Sequence, residues 1–65
     1  MNETEIREII HDINNSLTTV LGAAELIGAE ADPESQVSQD AQDIADAALR
    51  GRDQVNRLRE ALGLS

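Results

Sequence analysis

The chain has no cysteine, no aromatic residue and a single proline and histidine among its 65 residues, and its five basic side chains face thirteen acidic ones. Each shortage excludes something. Without cysteine there is no disulfide, and the chain suits a reducing compartment. One histidine makes a zinc site within the chain improbable on donor grounds, and no metal is expected. Without Phe, Tyr or Trp, any core must come from Ile, Leu, Val and Ala, which suit closely packed helices. The formal charge of -8 provides no basic patch for nucleic-acid phosphates or an anionic membrane surface. No run reaches eighteen apolar residues, and the acidic first ten positions do not read as a signal peptide, so a cytoplasmic location is expected.

A chain this short is one domain and is marginal as a monomer. With disulfides and metal set aside, a partner chain is the remaining source of stability.

Two helices are expected. The first runs from about 3 to 29, with Asn2 as N-cap and Glu5 completing a capping box. Ile6, Ile13, Val20 and Ile27 recur every seven residues. Ile10, Leu17 and Ala24 form a second series beside them, and Ile9 and Leu21 widen the stripe. That is broader than a two-stranded seam requires and matches a helix with several neighbours. A loop over about 30–34 holds Pro33, which fits the first position of a new helix capped by Asp32; Ser35 is the competing cap. The second helix then runs over about 35–62, with inward positions Val37, Ala41, Ile44, Ala48, Gly51, Val55, Leu58 and Leu62 spaced by fours and threes. Asp46–Arg50 and Asp53–Arg57 are oriented as i,i+4 ion pairs, and Gly63 supplies the stop. The expected fold is all-α: an antiparallel hairpin that homodimerises into a four-helix bundle, covering the stripe that one hairpin leaves wet.

The chemistry concentrates at His11-Asp12-Ile13-Asn14-Asn15-Ser16-Leu17. On a helix His11 and Asn15 share a face, with Asp12 about 100° round. Asp12 is placed to hydrogen-bond the ring or take its proton, and Asn15 to orient a water. The plain alternatives are a surface histidine without a duty and an ordinary solvated acid. Adjacent asparagines are poor mid-helix residues, so something other than helix stability accounts for them. Beyond His11 the outward positions Thr18, Thr19, Gly22 and Ala23 are small and uncharged, a surface for a visiting helix. In a hairpin turning near Asp32, His11 lies across from about Asp53. Arg50, Arg52 and Arg57 are then within one or two turns, as phosphoryl contacts or as partners of nearby acids.

These residues resemble the H-box of two-component sensor histidine kinases, in the dimerisation and histidine-phosphotransfer domain whose pattern reads His-Asp-aromatic-Asn-Asn-x-Leu. His11, Asp12, Asn14, Asn15 and Leu17 match it. Leu21-Gly22, Glu25-Leu26, Ala48-Leu49-Arg50-Gly51 and Val55-Leu58 resemble its continuation, so the likeness spans about residues 5–62. Ile13 departs from the aromatic. The resemblance implies that His11 is the phospho-acceptor and Asp12 the base or ring-orienting acid. Asn15 would support phosphatase-type water positioning, and Asn14 would support the site or meet a kinase domain. It implies a homodimer, and a response-regulator receiver domain as partner, holding Mg²⁺ beside its aspartate. ATP would be bound by a separate histidine kinase catalytic domain, because the chain has no room for a nucleotide fold and no phosphate-cradling glycine loop. The chain itself is expected to hold no cofactor and to lack autonomous kinase activity, whether excised from a kinase or free-standing. A regulatory protein that binds a kinase or receiver without carrying phosphate, and a bare helical dimerisation module, are the competing readings.

Overall fold

The computed structural model describes residues 1–64. Two helices, α1 (Glu3–Glu30) and α2 (Gln36–Ala61), lie antiparallel in a rod of 47 × 16 × 15 Å. The boundaries fall within two residues of those expected. Asn2 caps α1 by accepting the Glu5 amide on its side chain at 2.8 Å, and Glu3 and Glu5 face the positive end of the dipole. Of the two caps proposed for α2, Ser35 takes the role: its Oγ accepts the Ser38 amide at 3.1 Å. Asp32 closes the turn instead. Its Oδ1 accepts the Glu34 amide at 3.0 Å, and its carbonyl accepts the Ser35 amide at 2.9 Å. Pro33 therefore lies within the turn rather than at the head of α2.

α2 stops at Gly63, as expected. The Leu64 amide reaches back to the Arg59 carbonyl (2.9 Å) and the Gly63 amide to that of Glu60 (3.0 Å). This paired closure needs a left-handed residue, and Gly63 supplies it at φ 72°. The closure turns Leu64 inward, where it is buried near Glu3 and Ile6.

The seam between the helices differs from the one expected. Ile6, Ile10, Leu17, Leu21 and Ala24 of α1 and Ala41, Ala45, Ala48 and Val55 of α2 are the apolar side chains that the pairing buries or half-buries. Ala45 replaces Ile44 in the buried line, and Val37, Ile44, Leu58 and Leu62 are half exposed rather than inward. The two seven-residue series of α1 separate likewise: Ile10 and Ala24 are buried, while Ile13, Val20 and Ile27 remain half exposed beside Ile9. Small residues account for this choice. Alanine lets the backbones approach, and Gly51 leaves room for the Leu17 side-chain tip, which stands 3.1 Å from where a Cβ would be. In α2 the branched side chains Val37, Ile44, Leu58 and Leu62 are left on the flank.

Two expected ion pairs do not form. Among the described residues the ion pair present is Glu3–Arg7 at 2.7 Å, and Asp46 accepts a hydrogen bond from Gln42 instead of pairing with Arg50. Exposed i,i+4 pairs are worth only a few tenths of a kcal/mol, too little to hold long side chains against solvent.

Candidate functional site

His11 sits in the third turn of α1, exposed, one residue past buried Ile10. At 3.6 residues per turn, Ile13, Val20 and Ile27 project about 160–200° round the helix from it. The histidine and the half-exposed aliphatic stripe therefore occupy opposite faces. Anything that covers the stripe leaves the imidazole open.

The ring has one hydrogen-bond partner among the described residues: Asn15 Nδ2 lies 3.3 Å from His11 Nδ1. The two residues share a face, as expected from their spacing, but the ring's hydrogen bond comes from Asn15 and not from Asp12. The backbone carbonyl of Asn15 accepts the Thr19 hydroxyl at 3.0 Å. Asp12 is exposed and makes no hydrogen bond to the ring. Asn14 turns the other way. It is half-buried towards the seam, and its Oδ1 is enclosed without a hydrogen-bond partner. Adjacent asparagines thus have different surroundings: one amide bonds the ring, and the other leaves an enclosed carbonyl unsatisfied, at a desolvation cost of about 1–3 kcal/mol.

The arginines are not gathered at the ring. Gly51 against Leu17 and Gly28 against Ala41 fix the antiparallel register. Carried along the hairpin, that register brings His11 level with Arg57 and Leu58, one turn past Asp53. The hairpin pivots near Glu34 rather than Asp32, which accounts for the shift. Arg50 and Arg57 line a shallow depression with Leu49, Asp53 and Gln54, made from α2 alone. They face away from α1. Arg52 is half-buried at the seam.

The proposed docking positions divide as well. Thr18 and Gly22 lie within about 20° of His11, whereas Thr19 is about 80° and Ala23 about 120° round; all four are exposed. Two leucines named only in the resemblance, with no role given to them from the residue pattern, are exposed near this face. Leu49 lines the groove between the helices with Glu25, Ala29 and Gln42, and is 50% exposed. Leu26, 60% exposed, lies about 60° from His11. Both fall off the seven-residue series, and a large aliphatic outside the stripe was the available signal. Among the described residues no cluster of three His, Asp or Glu side chains is arranged to hold a metal. Nor, among the described residues, is any helix long and apolar enough to cross a membrane.

Fold and site together define a class: an antiparallel helical hairpin that displays one histidine on the face opposite an uncovered apolar stripe. The chain belongs to the His Kinase A (phospho-acceptor) domain family, whose model matches residues 1–61. It is thus a phospho-acceptor module of the two-component histidine kinase kind. No curated protein and no solved structure matches the chain significantly.

Proposed function

We propose that His11 is the residue that carries the phosphoryl group, and that it exchanges this group with the aspartate of a response-regulator receiver domain. The observation that carries the reading is the placement of His11: exposed, opposite the stripe, with Asn15 beside its Nδ1 and no hydrogen-bond partner on Nε2 among the described residues. In the transfer the Nε2 lone pair bonds phosphorus as the P–O bond to the receiver carboxylate breaks, and the bonding pair leaves with the carboxylate. Asp12, exposed and one residue on, accepts the proton the ring then sheds. In the hydrolytic direction the Asn15 amide orients the attacking water, and Asn14 sets the helix orientation beneath the site.

Two copies of the hairpin join through the stripe of Ile13, Val20, Ile27, Val37, Ile44 and Leu58 into a four-helix bundle. Fully burying a large aliphatic side chain is worth about 1.5–3 kcal/mol, and these residues are only half covered in one hairpin. The receiver approaches from the other side, over Thr18, Gly22, Leu26 and Leu49. ATP belongs to a separate catalytic domain and Mg²⁺ to the receiver, which places the working module in the cytoplasm.

The test is phosphotransfer. A receiver carrying radiolabelled aspartyl phosphate, or a catalytic domain supplied with labelled ATP, is expected to label this chain and not its His11→Gln variant. Absence of label from every donor, with binding that survives His11→Gln, would instead support a regulator that docks without carrying phosphate.

A further inference from the structure

The imidazole of His11 belongs to the single histidine of the chain, and its surroundings leave Nδ1 to one group. Asn15 Nδ2 stands 3.3 Å away. Arg7, one turn back, is drawn off to Glu3 at 2.7 Å. Glu8 and Asp12 are exposed and do not bond the ring. Arg57, level with it on α2, lies on that helix's far face. Below it, Thr19 Oγ1 donates to the Asn15 backbone carbonyl, so among the described residues the side-chain amide has no protein partner besides the ring and its last torsion is free to turn. An asparagine amide has a donor end and an acceptor end, exchanged by a half-turn of its last torsion. It is therefore able to serve Nδ1 with or without a proton.

We propose that Asn15 is a positioning residue that occupies Nδ1 of His11 throughout the phosphoryl cycle, so that Nε2 alone bonds phosphorus, and that its amide turns over as the Nδ1 proton comes and goes. The cycle rests on the phospho-acceptor reading of His11; the occupation of Nδ1 does not. In the resting chain Nδ2–H donates to bare Nδ1, and the ring proton sits on Nε2. For attack the proton must move to Nδ1, where Oδ1 of the turned amide accepts it and leaves the Nε2 lone pair free. Once the Nε2–P bond has formed and the P–O bond of the donor has broken, the ring is a cation with its proton on Nδ1. Loss of that proton to Asp12 gives the neutral phosphohistidine, and the amide turns back to donate to Nδ1. Return of the proton makes Nε2 a better leaving group. The same amide thus supports both storage and release, a role distinct from holding a water.

The experiment uses the 65-residue chain and phosphoramidate, a small donor that needs no partner protein. Its P–N bond breaks as the ring nitrogen bonds phosphorus, and ammonia departs. With one histidine present, phosphorus and nitrogen NMR report a single ring. The wild-type chain is expected to carry phosphorus on Nε2 and, before reaction, a bare Nδ1. Asn15→Leu keeps the bulk without the hydrogen bond. It should lower the ratio of Nε2 to Nδ1 phospho-isomer by about two- to tenfold, the range one net hydrogen bond supports. Asn15→Asp, which only accepts, should restore the Nε2 preference and move the resting proton to Nδ1. Circular dichroism checks that both variants remain helical. An isomer ratio unchanged in Asn15→Leu, or a resting tautomer that Asn15→Asp does not move, overturns the proposal. Neither readout involves a receiver or catalytic domain. A chain that shows both effects yet takes no label in the transfer assay would remove the phosphotransfer reading and leave the positioning role standing.

Discussion

The two faces of α1 are built for different kinds of contact. On one, Ile13, Val20 and Ile27 form a line of branched aliphatic side chains, half exposed in a single hairpin. On the other, His11, Thr18 and Gly22 are exposed, small or polar, with Leu26 at the edge. A bulky apolar line is costly to leave in water and suits a permanent partner. A polar face around one nucleophile costs little when open, so a visitor is free to arrive and leave. One helix of 28 residues serves both because the faces lie about half a turn apart.

The largest expected effect tests whether the faces are independent. His11→Gln should abolish phosphoryl uptake while shifting stability by no more than ~0.5 kcal/mol, as for an ordinary surface change. A drop in dimer content on sedimentation would show that the polar face also bears on assembly. The opposite disruption is Val20→Asp, which places a carboxylate in the aliphatic line. It should abolish the proposed dimer and lower stability by at least ~2 kcal/mol per chain, read by sedimentation and thermal unfolding. An unchanged dimer would remove the assigned role of the stripe.

A smaller effect is expected inside the hairpin. Ala45, buried in the seam, has no room to grow, so Ala45→Leu should cost about 1–3 kcal/mol in denaturant unfolding. Ile44→Leu, one position round on the flank, should change little. Smallest of all is a pair of glycines. A Cβ at Gly22 meets nothing within 4 Å, so Gly22→Ala should stabilise α1 by about 0.5–1 kcal/mol. At Gly51 it meets the Leu17 side chain at 3.1 and 3.2 Å, which offsets the propensity gain. Equal gains at both sites, read from unfolding midpoints, would mean that Leu17 moves aside freely.

Much of this arrangement was legible in the residue order. The capping role of Asn2, the Gly63 stop, both helix spans and the shared face of His11 and Asn15 are local and follow from spacings of three to five residues; that Asn15 rather than Asp12 meets the ring was not foreseen. The seam was less legible. Seven-residue repeats mark which side chains want burial, but in α2 Ile44 and Ala45 are both apolar, and choosing between them depends on how closely the backbones approach. The arginines were misplaced for a similar reason. A pivot near Glu34 rather than Asp32 shifts the facing register by about one turn at His11, and Asp53 gives way to Arg57.

The sequence by itself determined the two helices, their ends, the amount of apolar surface and the identity of the one imidazole, because each depends on neighbours within a turn. Only the tertiary structure decided which apolar line closes the hairpin and which stays open, where Leu64 goes, and that Arg50 and Arg57 face away from His11. Those outcomes depend on the fit of one helix against another, where alanine and glycine set the separation and every rotation of the helix follows from it.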